Sequence, residues 1–141
     1  MRRQVIVPID APADRAWRVL ADLERWPSWT DSMTTVARVG TGELAPGLRV
    51  KVKQPKLRPA EFEVTAVDPG RSFRWVSEAP GMITTATHEI VATGERTSEV
   101  TLTFEMAGPL GGITGALFGR LIRRYVQMEA DGLAEMATRA P

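Results

Sequence analysis

The stretch LGGITGALFGRLIRRYVQMEADGLAEMAT, residues 110–138, decides how the rest of the chain is read. It holds no proline, and apolar side chains return at helical spacing: Leu117, Phe118, Leu121, Ile122, Tyr125, Met128, Leu133 and Met136. A helix rising ~1.5 Å per residue runs roughly 40 Å over this stretch, about the width of a small domain. Arg120, Arg123, Arg124, Gln127, Asp131 and Glu135 form the opposite face, which puts that side in water. Glu129 departs from the pattern. At ~100° per residue it falls near the centre of the apolar stripe, among Phe118, Ile122, Tyr125 and Leu133. A carboxylate there is costly unless it is partnered or reaches a wet cavity.

The segments before this helix are strand-like. Val5, Val7 and Ile9 begin the series, with Pro8 favouring a sheet edge. Asp10-Ala11-Pro12 opens a first helix, whose apolar face is Ala13, Ala16, Trp17, Leu20 and Leu23, and Trp26-Pro27-Ser28-Trp29 ends it. Six strands follow. Thr34 to Val39 is the first. Leu48, Val50 and Val52 alternate with Arg49, Lys51 and Lys53, and Phe62, Val64 and Ala66 alternate with Glu61, Glu63 and Thr65. Phe73 and Trp75 mark the next strand, Met82 to Ala92 a long one, and Val100, Leu102, Phe104 and Met106 the last. Asp68-Pro69-Gly70, Pro80-Gly81 and Thr93-Gly94-Glu95-Arg96 are turns between neighbours. Short turns between consecutive strands argue for an antiparallel meander, an α+β protein with the long helix laid across its sheet. A strongly twisted sheet of seven strands can curl around such a helix and leave a cavity.

The chain is 141 residues, 43% hydrophobic and 25% charged, so a single domain over residues 1–141 with an ordinary core is expected. Its net charge of +1 gives no strong electrostatic pull toward nucleic acid or membrane. There is no cysteine and one histidine, which excludes thiolate chemistry, Cys-based zinc sites and multi-histidine metal sites. No metal or other cofactor is expected. No apolar run is long enough for membrane insertion as a span, and Met1-Arg2-Arg3-Gln4-Val5 lacks signal-peptide character, so a soluble cytoplasmic protein is expected, as monomer or homodimer.

The order of these pieces resembles a known superfamily. Ile9-Asp10-Ala11-Pro12, Ala16-Trp17, Leu20-Ala21-Asp22, Trp26-Pro27-Ser28-Trp29, Trp75, Gly81, His88-Glu89-Ile90 and the long terminal helix together resemble the START-like, or SRPBCC, superfamily of polyketide cyclase/dehydrase-like proteins. The resemblance covers the whole chain. It implies the helix-grip fold shared with birch-pollen-allergen-type proteins: a seven-stranded curved antiparallel sheet wrapped around a long C-terminal helix. The element order is strand, helix with a short second helical piece, six strands, helix. It also implies a deep cavity for apolar or aromatic small molecules, lipid or polyketide among them. It does not imply one activity, since members include aromatase/cyclases, lipid carriers and hormone binders.

If Ile90 faces inward, the two-residue period puts His88, Ala86, Thr84 and Met82 on the same face. His88 is then the one imidazole available to a ligand, as acid, base or hydrogen-bond donor, or else it anchors buried structure. Glu129 is either a cavity carboxylate, holding a ligand hydroxyl or pairing with His88, or a partner of a strand arginine such as Arg49. Tyr125, one turn away, offers a hydroxyl or simply packs. Phe62, Trp75 and Phe104 are sheet-face aromatics that fill a core or line a cavity, and Leu121 belongs to the helix stripe facing them. The candidate ligand-binding set is therefore Phe62, Trp75, Thr84, His88, Phe104, Leu121, Tyr125 and Glu129, with His88 and Glu129 as candidate catalytic groups. Gly111, Gly115 and Gly119 allow close packing or leave space at the helix start, and Arg120, Arg123 and Arg124 read as a solvated face. Three functions fit: a binder of a hydrophobic, aromatic or polycyclic small molecule; an aromatase/cyclase or dehydratase-type enzyme using His88 with Glu129 or Tyr125; and an interaction domain with a vestigial cavity.

Overall fold

The computed structural model describes residues 1–139. In chain order the elements are β1 (Arg2–Ile9), α1 (Ala13–Ala21), a short 3-10 turn (Leu23–Ser28), β2 (Thr35–Arg38), β3 (Arg49–Lys53), β4 (Ala60–Asp68), β5 (Ser72–Ala79), β6 (Met82–Ala92), β7 (Ser98–Ala107) and α2 (Pro109–Arg139). The seven strands make one curved antiparallel sheet in the order β1-β7-β6-β5-β4-β3-β2. The chain is a meander from β2 to β7, and β1 closes beside β7. Pro8, which cannot donate to a ladder, sits on edge strand β1 opposite Glu99. Gly70 and Gly81 occupy their turns at φ 83° and 74°, the left-handed region that glycine enters without a Cβ penalty. This is the α+β helix-grip architecture that the element order implies, with a 3-10 turn as the short second helical piece.

Alternation decides which side chains face α2. On β6 the inward residues Thr84, Ala86, His88 and Ile90 are buried while Ile83 and Glu89 are exposed. On β4 the alternation breaks. Val64 pairs with Trp75 but Ala66 pairs with Arg74, so Thr65 is the extra residue of a bulge. Side-chain parity flips there, leaving Ala66 exposed and Val67 partly buried, where unbroken alternation puts Ala66 inside.

The core sits between the concave sheet face, α1, the 3-10 turn and α2. Trp26 is fully buried, and its indole N–H donates to the Leu20 carbonyl at 2.9 Å, so the buried ring carries no unpaired donor. α2 packs closely at Gly132: a Cβ added there would stand 2.1 Å from the Trp29 carbonyl oxygen. The inward face of α2 carries Ile122, Tyr125, Val126, Glu129, Ala130, Leu133 and Ala137. Three members of the predicted stripe lie off it. Leu117 is 74% exposed, and Leu121 and Met128 are half-buried. They sit roughly 140°, 100° and 120° around the helix from Ile122, too far to share its face.

Candidate functional site

The curled sheet and α2 enclose a cavity of about 690 Å³. That falls within the ~300–1,000 Å³ of ordinary small-molecule sites. Phe62, Trp75, Thr84, His88, Phe104, Tyr125 and Glu129 all border it, as does Ile122. Leu121 does not, for the reason of helical phase just given. Val126, which the sequence reading passed over, lines the cavity. Its signal was present, since it lies four residues after Ile122 and three before Glu129. Among the others missed are Met33, Ser77, Glu78, Ala79 and Thr114, and the segment 54–59 between β3 and β4, which forms one lip of the opening. Pro55 and Pro59 break strand alternation there, and no pattern in the segment points toward a cavity.

The walls are aromatic. Phe62 and Trp75 lie with ring centres 5.2 Å apart, and Trp75 meets Phe73 edge-on at 5.3 Å. His88 is set into this cluster. Its imidazole stacks on Phe73 at 4.2 Å and 13°, with Trp26 at 5.4 Å and Trp75 at 5.3 Å. The stack follows from register, because His88 on β6 is directly opposite Phe73 on β5.

Glu129 points from the middle of α2 toward this imidazole. His88 Nε2 and Glu129 Oε1 are 3.3 Å apart, and the two residues are 2% and 8% exposed. The approach is close but misaligned. Glu129 Oε1 has no hydrogen-bond partner among the described residues, and neither does His88 Nδ1. Two nearly buried polar groups thus retain bonding capacity beside an apolar space, which is costly unless something else uses it. Arg49, the alternative partner for Glu129, is on the other side of the sheet. It is exposed and engages Glu61 at 3.3 Å and Glu63 at 3.7 Å, because the alternation of β3 buries Val50 and Val52 and turns Arg49 outward.

Tyr125 presents its ring to the cavity, but its hydroxyl donates to the Pro55 carbonyl at 2.6 Å. The phenolic proton is therefore engaged in holding the lip, whereas Glu129 Oε1 and His88 Nδ1 have no hydrogen-bond partner among the described residues. The lip is also held by Lys53, whose ammonium donates to the carbonyls of Gln54 and Leu57. Lys56 at its tip has φ 66°, a left-handed conformation uncommon outside glycine. Among the described residues no group of three or more His, Asp or Glu side chains is placed to hold a metal ion.

Residues 3–140 match the family model described as polyketide cyclase/dehydrase and lipid transport. The fold is similar to that of the Zhui aromatase/cyclase from Streptomyces sp. R1128, at 17% identity and a TM-score of 0.80, covering 99% of this chain and 94% of that one. It is similar to the di-domain aromatase/cyclase BexL of the BE-7585A biosynthetic pathway, at 18% identity and a TM-score of 0.75, where it covers 99% of this chain and 48% of that one. It is also similar to TTHA0849 from Thermus thermophilus, at 19% identity and a TM-score of 0.77, covering 97% of both chains. At these identities the likeness is one of fold. No curated protein matches the sequence.

Proposed function

Because the chain belongs to the polyketide cyclase/dehydrase and lipid transport family, we propose that it binds an apolar, ring-containing small molecule between its sheet and α2. The observation that carries this reading is the cavity itself, about 690 Å³ with Phe62, Trp75 and Phe104 in its walls and one buried polar pair, His88 and Glu129. Apolar walls supply affinity through burial, and few polar groups fix orientation. A ligand hydroxyl would be directed at the Glu129 carboxylate, whose side chain is 11% exposed at the cavity, while the His88 imidazole behind it is 3% exposed. The size of the space weighs against a vestigial cavity. Titration with a panel of polycyclic phenols, read by intrinsic tryptophan fluorescence, tests the reading. Saturable binding that Phe62→Ala or Trp75→Ala weakens supports it, and absence of binding across the panel overturns it. Native mass spectrometry of protein from its own host would identify a retained ligand by mass.

A second reading is an aromatase/cyclase or dehydratase-type reaction, favoured by the same unsatisfied pair. Ring closure of a folded polyketone requires a base to take a proton from the carbon beside a carbonyl and an acid to protonate the oxygen of the accepting carbonyl. A carboxylate and an imidazole 3.3 Å apart could divide these roles. Loss of turnover in both His88→Ala and Glu129→Gln, with substrate still bound, would support it.

A further inference from the structure

A second apolar surface lies outside the cavity. Leu110, Ile113 and Leu117 follow helical spacing along the outer side of α2 and are 47%, 57% and 74% exposed. Phe118, 39% exposed, joins this stripe to the cavity lining. The inward face of α2 is already committed to the sheet, so folding does not require the outer stripe.

The stripe has a charge pattern of its own. Arg120 and Arg124 lie within roughly 60° of Leu117 around the helix. With Arg123 they are exposed, and from Pro109 to Met128 the chain carries these three arginines and no carboxylate. The near-neutral net charge of +1 conceals this local excess. The stripe also lies beside the cavity opening, whose exposed border includes Lys56 and Arg58 on the lip, Ala79 and Phe118. Glu61 and Glu78 also border the opening, both from the sheet side.

We propose that this face of α2 docks on the surface of an anionic phospholipid bilayer and brings the cavity opening to it. Apolar side chains at an interface settle at the boundary between headgroups and acyl chains, and flanking arginines engage lipid phosphates. A second copy of this chain fits less well. A two-fold contact sets the same patch against itself, and here that juxtaposes arginines with no carboxylate on the stripe to answer them. No described helix is long and apolar enough to cross a membrane, so the contact is peripheral. The inference stands on exposure and charge, not on what the cavity holds.

The test is co-sedimentation of the full chain with vesicles of phosphatidylcholine alone and of phosphatidylcholine with phosphatidylserine. Binding is expected to require phosphatidylserine and to fall as salt is added. Ile113→Asp/Leu117→Asp should abolish it, and Arg120→Gln/Arg124→Gln should weaken it by roughly tenfold or more. Neither pair borders the cavity, so melting temperature and polycyclic-phenol binding in the absence of vesicles should be unchanged. Lack of binding to phosphatidylserine vesicles overturns the proposal, as does binding that neither double variant alters. A wild-type dimer in light scattering that Ile113→Asp/Leu117→Asp dissolves, without vesicle binding, overturns it in favour of a second copy.

Discussion

His88 Nε2 and Glu129 Oε1 stand 3.3 Å apart, joining the middle of the sheet to the middle of the long helix. The imidazole is held by its stack on Phe73, and the carboxylate is held by helical phase. Each is therefore positioned by the fold rather than by the other. Glu129 borders the cavity with its side chain 11% exposed, so its carboxylate is the group that a ligand hydroxyl would meet there. Hydrogen bonds to a charged group contribute ~1.5–3 kcal/mol, roughly 10- to 100-fold in affinity. Glu129→Gln should accordingly weaken binding of 2-naphthol by that order and leave naphthalene unaffected, in parallel titrations. Equal loss for both ligands would show that the carboxylate does not meet the hydroxyl.

The same pair makes a stability prediction. Buried polar pairs are often neutral or unfavourable relative to well-packed hydrophobic residues, while removing one partner strands the other. His88→Leu/Glu129→Leu should match or exceed the wild type by up to ~4 kcal/mol, and each single substitution should be less stable than the double. Urea denaturation of the four proteins gives the cycle. A double variant less stable than both singles would mean that the pair contributes to folding and is not retained for function.

Two glycines of α2 should respond to alanine with opposite signs. At Gly119 an added Cβ meets nothing within 4 Å, whereas at Gly132 it would stand 2.1 Å from the Trp29 carbonyl oxygen. Gly119→Ala should stabilise by up to ~1 kcal/mol through helix propensity. Gly132→Ala should destabilise by ~1–3 kcal/mol, because α2 must move away from the Trp29 backbone. Thermal melts of the two variants decide the matter. A stabilised Gly132→Ala would show that the approach of helix and backbone relaxes at little cost.

The strands, the long helix and the inward position of Glu129 were legible because each rests on periodicity, which sequence displays directly. His88 followed from the two-residue period once Ile90 was placed inside. Failures arose where periodicity stops governing. Ala66 faces outward because one extra residue at Thr65 flips the face of the strand, and no turn residue marks that bulge. Leu117, Leu121 and Met128 were misplaced because α2 carries apolar residues around more of its circumference than the core covers. Tyr125 was placed on the correct face, but its hydroxyl partner, the Pro55 carbonyl, is a backbone group whose position depends on how the 54–59 segment folds back, and composition does not encode that.

That contact leads to the last prediction. Segment 54–59 forms a lip of the cavity, and the Tyr125 hydroxyl ties its Pro55 carbonyl to α2 at 2.6 Å. Tyr125→Phe keeps the ring in the cavity wall and removes only this tie, costing ~1 kcal/mol in stability. Lys53 still grips the carbonyls of Gln54 and Leu57, so the lip loosens without unfolding. Amide hydrogen exchange should accelerate over residues 54–59 and remain unchanged in β6, since local opening draws on local contacts. Ligand dissociation, followed by stopped flow, should quicken severalfold, with naphthalene and 2-naphthol affected alike because the hydroxyl acts on the opening and not on the ligand. Unchanged exchange across the lip would mean that Lys53 alone secures it. A loss confined to 2-naphthol would mean that Tyr125 contacts the ligand directly.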